Sequence, residues 1–213
     1  MPGPPDARGR GRLRRAGRAG LSTAGELARE LAPLLLTPEA AASLDVHGRT
    51  DAAVLVPLYR DPTGAITAVF TKRRDDLRSH AGEISFPGGR QDEGDEDLRA
   101  TALRETQEEI GLPPEGVTLA GALEPTPTIV TNYRIYPFVG VIEAGFEWVP
   151  AAAEVAEVLE LRLSDVRDGH GMRRLVRKGV PFRTDTYTIG ETLIWGATAR
   201  IVRTLLDKVE GLL

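Results

Sequence analysis

From Ala52 to Arg73 apolar and polar side chains arrange themselves as two extended runs, AAVLVPLYR and AITAVFTKR, separated by Asp61-Pro62-Thr63-Gly64. A turn tetrapeptide between two β-rich runs predicts a β-hairpin. Upstream, Thr23 and Glu26 have the spacing of a capping box ahead of a Leu27, Leu31, Leu34 stripe, which predicts a helix. Thr37-Pro38 predicts a second short helix through AAASL. Further strands are expected at 117–123 and 135–142. A closing helix is expected from about Trp195 to Glu210, with Thr198, Ile201, Leu205 and Val209 inward and Gly211 as its stop. No internal repeat is present. Mixed strands flanked by helices on both sides predict an α/β fold, an α/β/α sandwich with a mixed β-sheet.

The most informative stretch is FPGGRQDEGDEDLRATALRETQEEIGL, from Phe86 to Leu112. An apolar run including Ile84 and Phe86 ends at Gly88-Gly89, and acidic residues then lead into a helix whose N-cap is expected to be Asp95 or Asp97. At about 100° per residue, Leu103, Thr106 and Ile110 share one face, while Glu105, Glu108 and Glu109 share another. Gly111, Pro113 and Pro114 stop the helix. Three carboxylates at i, i+3 and i+4 repel one another unless a cation joins them, and Mg²⁺ suits carboxylate oxygens together with substrate phosphates. The pattern is strand, glycine loop, then a helix armed with carboxylates.

Composition changes the picture at the ends more than in the middle. With 213 residues, 41% of them hydrophobic, the chain can bury one good core, so one domain over 22–213 is expected, including a helical extension at 22–45. No apolar run approaches the roughly 20 residues of a membrane helix, so no membrane partner is expected. With no cysteine there is no disulfide framework, thiolate nucleophile or zinc–sulfur site. His47, His80 and His170 are too scattered in sequence to suggest a metal cluster. Residues 1–20 hold six arginines against Asp6, a charge of +5, which leaves 21 basic and 30 acidic residues, or −9, in the rest. The Arg/Gly/Pro-rich segment 1–21 cannot build a core and is read as a disordered tail. The acidic remainder argues against nucleic acid as the main substrate, and a cytoplasmic location is expected.

Gly89, Glu96, Arg104, Glu105, Glu108, Glu109, Gly111 and Leu112 resemble the Nudix box of diphosphate hydrolases, here spanning 89–112. Its first half has one loop residue more than the general pattern, and Thr106 stands where an aliphatic residue is usual. Just upstream, FTKRRDDLRSHAGEISFPGG is similar to the motif of the coenzyme A diphosphatase branch, with Thr71, Arg73, Arg78, Gly82, Phe86, Pro87, Gly88 and Gly89 at its spacing. Arg74 departs from it, since a small residue is expected there. The resemblance implies the Nudix α/β/α fold and hydrolysis of coenzyme A, or an acyl form, to 4′-phosphopantetheine and adenosine 3′,5′-bisphosphate. It also implies a backbone carbonyl of Gly89 among the metal ligands; relatives often pair, so a homodimer is one option, which the sequence does not decide.

The chemistry expected of these residues follows from charge. Glu109 and Glu105 are the first choices as ligands for Mg²⁺ or Mn²⁺, with Glu108 next, and Arg104 is expected to orient them by a salt bridge. A general base must reach the attacking water; Glu154 is favoured, with Glu157 as a further candidate. Arg73 and Arg78 are expected to grip the 3′-phosphate of coenzyme A, because arginine holds phosphate bidentately. Lys72, Arg74 and His80 stand behind them, His80 as a substrate contact or as a brace for the loop, and Gly88 and Gly89 form the cradle. Tyr187 and Trp195 are candidates to stack on adenine, although core packing suits Trp195 better. The alternatives are a diphosphatase acting on ADP-ribose or dinucleoside polyphosphates and, in another class, a non-catalytic nucleotide-sensing module; the intact glutamate set argues against the latter.

Overall fold

In the computed structural model, which describes residues 23–77, 80–128, 132–177 and 179–213, the hairpin predicted from the turn is the centre of the sheet. β1 (Thr50–Arg60) and β2 (Ile66–Arg73) pair antiparallel through Leu58↔Ala68. Asp61 builds the turn: its Oδ1 accepts from Thr63 N at 2.8 Å, Thr63 Oγ1 at 2.6 Å and Ala65 N at 3.1 Å. The first half of β1 pairs instead with β4 (Gly88–Arg90), and β3 (Ile84–Ser85) lies along β2. β5 (Thr118–Ala122), β6 (Thr126–Pro127) and β7 (Tyr133–Val141) follow, and β7 runs parallel to β1 from Thr50↔Tyr133 to Leu58↔Val141. β8 (Val155–Arg162) closes the other side of β2, completing a mixed sheet of eight strands among the described residues.

Strand side chains alternate between faces, and here both faces are buried. Val56, Leu58, Ala68, Phe70, Val139 and Val141 belong to one core, with α1 (Thr23–Leu31) and α5 (Gly196–Val209). Ala53, Leu55, Tyr59, Val69 and Phe138 belong to the other, which includes Ala41 of α2 (Pro38–Ala42) and Ala102 and Ile110 of α3 (Leu98–Ile110). The layers are therefore helix, sheet, helix. Among the described residues no helix is long and apolar enough to cross a membrane.

Several local expectations are revised. Thr23 opens α1, and its hydroxyl donates to Glu143 at 2.9 Å across the fold. Pro33 turns the chain into a 3-10 segment after Leu31, which leaves Leu34 exposed while Leu27 and Leu31 are fully buried. The Thr37 cap holds, accepting from Ala40 N at 3.1 Å. In α5 Ile201, Leu205 and Val209 are buried as expected, but Ala199 takes the inner position in place of half-buried Thr198. A final 3-10 turn, Glu210–Leu212, runs through Gly211. After the short α4 (Leu163–Asp168), three strands unforeseen in the sequence form a second antiparallel sheet: β9 (His170–Arg177), β10 (Val180–Ile189) and β11 (Thr192–Trp195). The expected tail at 1–21 lies outside the described residues.

Candidate functional site

The carboxylate helix begins and ends as its sequence dictates. Asp97 is the N-cap, accepting from Ala100 N at 2.7 Å, and Gly111 closes the helix in the left-handed region at φ 75°. Thr106, the unusual polar residue on the core face, is fully buried and satisfies itself by donating to Ala102 O at 2.6 Å. On the opposite side of that face lies β4. Gly88 has φ 150°, and a Cβ there would collide with the Ala53 carbonyl oxygen and lie 2.6 Å from Val54 Cα. Only glycine lets this strand lie against β1 while bringing its backbone to α3. A Cβ on Gly89 would sit 2.5 Å from the Glu105 carboxylate, so the glycine backbone and Glu105 are direct neighbours.

The three glutamates are not equivalent. Glu109 is buried, and its Oε2 accepts from Gly88 N at 3.3 Å. Loss of water pushes its pKa up to about 7; the Gly88 N–H and Arg73 oppose that rise, and the charges of Glu105 and Glu154 add to it. Burial also raises the pKa of half-buried Glu105, against the pull of Arg104. Glu108 keeps an exposed side chain whose Oε2 is 3.2 Å from Arg104 Nη1.

Arg104 meets two of these glutamates. Its Nη1 lies 3.0 Å from Glu105 Oε1, and its Nη2 donates to the Arg90 carbonyl at 3.3 Å. Its own anchor is Asp95, which accepts from Nε at 2.9 Å and Nη2 at 3.0 Å and from the Thr101 hydroxyl at 2.9 Å. The Asp95 carboxyl is held well below its usual range, first by the Arg104 bond, and the guanidinium is raised in turn. The acid matched to the Nudix pattern in the sequence, Glu96, is exposed. The extra loop residue has shifted the partner by one position, which the family spacing alone does not reveal; an acid nine residues ahead of Arg104 was the available signal.

Two chain segments complete the cluster. The stretch after α3 folds back, with Val149 N on Ile110 O at 3.1 Å and Ala151 N on Glu109 O at 2.8 Å, which sets Glu154 in the turn before β8. Arg73 ends β2 at a bulge opposite Val155. Its Nη1 is 4.0 Å from Glu109 Oε1 and its Nη2 3.4 Å from Glu154 Oε2. The structure thus brings together Gly88, Gly89, Glu105, Glu109, Arg73 and Glu154, with Arg104 and Glu108 at the margin.

Other sequence candidates make contacts of their own. Arg74 clamps the loop, bonding Asp76 at 2.8 and 2.6 Å and the Ala152 carbonyl at 2.5 Å. His80, at φ 57°, pairs Nδ1 with Glu83 Oε2 at 2.7 Å. Glu157 is exposed on β8. Tyr187 is only 2% exposed within the core, so it cannot stack on a base, and half-buried Trp195 packs its ring 6.0 Å from that of Phe182. Arg78 lies outside the described residues.

Among the described residues no three Asp, Glu or His side chains converge into a ready-made metal cage. The donors nevertheless fit a hard divalent cation. A buried, desolvated carboxylate crowded by two others gains most from one, and Mg²⁺ takes one or two carboxylates and completes its shell with water and phosphate oxygens.

Comparison with known proteins identifies similar chains and folds. A family model described as NUDIX domain matches residues 49–178. The chain is 38% identical over 170 residues to a protein of Pectobacterium atrosepticum named "Uncharacterized Nudix hydrolase NudL", covering 78% of this chain and 85% of that one. It is 39% identical over 160 residues to a protein of the same name from Cronobacter sakazakii, covering 74% and 82%. Among solved structures it resembles a binary complex of a C. elegans Ap4A hydrolase, with a TM-score of 0.54 and 17% identity over 76% of this chain and 99% of that one. A MutT/nudix family protein from Enterococcus faecalis also gives 0.54, with 13% identity over 79% and 64%. At such identities the structural likeness concerns the fold.

Proposed function

This chain belongs to the Nudix family and is a diphosphatase, and from that premise we propose that it hydrolyses the diphosphate bridge of coenzyme A or its acyl forms with Mg²⁺ or Mn²⁺. The observation that carries the reading is the meeting of Glu109 and Glu105 with the Gly88-Gly89 backbone and Arg73 at one place. The segment supplying both the glycines and Arg73 is the one that resembles the coenzyme A branch. Arg78 belongs to the same motif and is the remaining candidate for the 3′-phosphate.

In this reading Glu105, Glu109 and the Gly89 carbonyl would hold the cation, with Glu108 as a further carboxylate for it. When bound, the cation neutralises phosphate oxygens and lowers the pKa of a coordinated water. Asp95 fixes Arg104, which holds Glu105 and Glu108 in place. Glu154 accepts a proton from the attacking water. The water oxygen bonds to one phosphorus, that phosphorus parts from the bridging oxygen, and the departing phosphate keeps it. Coenzyme A as substrate supports a cytoplasmic location.

The test is product identification by mass after incubation with coenzyme A or ADP-ribose, with and without Mg²⁺. Formation of 4′-phosphopantetheine and adenosine 3′,5′-bisphosphate only with the metal is expected. Equal or faster turnover of ADP-ribose would remove the coenzyme A assignment while sparing the diphosphatase. Glu109→Gln is expected to lose activity by about two orders of magnitude or more with its melting temperature kept, because a buried charge crowded by two acids is removed. Near-normal turnover in a folded variant would reject the metal role.

A further inference from the structure

The Arg73 guanidinium occupies an unusual position for a substrate-gripping group. Its side chain is 29% exposed and reaches inward, and its Nε is buried without a hydrogen-bond partner among the described residues. Its two terminal nitrogens divide between acids from separate parts of the chain, at 4.0 Å from Glu109 and 3.4 Å from Glu154. Both distances exceed the roughly 2.7–2.9 Å of a saturated charge-assisted bond. The fork satisfies neither carboxylate fully, yet it places a positive charge between buried Glu109 and exposed Glu154.

We infer that Arg73 is a built-in counter-ion for Glu109 and Glu154, which the divalent cation displaces and which then turns toward the anionic diphosphate. This rests on the metal-dependent reading above and deepens it. A cation arriving at Glu109 meets a like charge a few ångströms away, so the metal site is weakened while Arg73 remains in place. Once Glu109 is shared with the metal, the attraction holding the guanidinium falls, and a phosphate oxygen becomes its better partner. Metal entry and substrate grip are then linked through one side chain. The residue acts by positioning charge, and its removal affects the two ligands in opposite directions.

The experiment measures Mn²⁺ binding to the full chain by the electron paramagnetic resonance signal of the free ion, without substrate, alongside turnover of coenzyme A. Arg73→Gln is expected to bind Mn²⁺ on the order of tenfold more tightly than wild type, while its KM for coenzyme A rises. Arg73→Met, which keeps an apolar stem in the packed position, provides the same comparison if the Gln variant does not fold. Mn²⁺ affinity that is unchanged or weaker in a folded variant overturns the counter-ion role, since a purely structural or purely substrate-binding arginine predicts that result. Glu109→Gln separates the two levels of the claim. If it leaves Mn²⁺ affinity intact, the metal site itself is misplaced; if it weakens Mn²⁺ while Arg73→Gln does nothing, only the counter-ion role fails.

Discussion

Asp95 and Glu96 are adjacent acids with opposite fates. The Asp95 side chain is 6% exposed and grips Arg104 with both oxygens, whereas Glu96 faces solvent. A partner that orients a ligand-bearing residue typically contributes about 10–100-fold to metal affinity or activity. Asp95→Asn is therefore expected to lower kcat/KM by roughly that factor, with Glu96→Gln close to wild type. Steady-state assays on both variants check this, and equal losses would return the role to Glu96. At this scale the sequence displays the residue types, and the structure supplies the pairing. Glu105, Glu109, Arg104 and Glu154 stand out in the sequence because such residue types suit a cation and a base, and the structure brings them near one another. The Asp95 pairing was hidden because one extra loop residue changes which acid points inward, and the Arg73 contacts because they join positions far apart in the chain.

Elements with their own punctuation were the most legible. The β1–β2 hairpin is announced by Asp61-Pro62-Thr63-Gly64, and Asp61 also binds Arg162 of β8, Nε to Oδ2, at 2.8 Å. Hydrogen bonds from Thr63, first among several donors, hold the Asp61 pKa down to about 2. A depressed carboxyl pKa stabilises the fold above its unfolded value, and that contribution fades as pH falls through the folded value. Asp61→Asn is expected to be less stable than wild type at neutral pH, with the gap closing between about pH 4 and about pH 2; urea titrations at several pH values measure it. Gly111 is a second such mark. An alanine Cβ there would lie 2.9 Å from Val149 Cβ at φ 75°, and Gly111→Ala is expected to cost about 1–2 kcal/mol or more. Because Val149 leads to Glu154, activity should fall as well. The sheet β9–β10–β11 lacked comparable signals: β9 reads HGMRRLVR, and Met172 and Val176 are exposed, so no clean alternation marks a buried face.

At the scale of the whole molecule the glutamate–arginine cluster lies where a strand buried on both faces meets the glycine loop, and different parts of one core relate to it differently. Phe70 and Phe86 stack with ring centroids 4.5 Å apart, and Phe86 immediately precedes Pro87, whose carbonyl accepts from Leu55 N at 2.9 Å. The core thus fixes the backbone that delivers Gly88 and Gly89. Leu205 on α5 is equally buried but belongs to a helix that supplies no site residue. Leu205→Ala is expected to cost about 2–5 kcal/mol of unfolding free energy through the cavity it leaves, with kcat near wild type at temperatures well below its transition. Phe86→Leu is expected to cost less, about 1–2 kcal/mol, yet to reduce kcat several-fold, because the strand under the glutamates loses its stacked support. Urea unfolding and turnover measured on the same samples distinguish the two. A drop in kcat that simply follows lost stability in both variants would mean that the aromatic pair has no particular hold on the site.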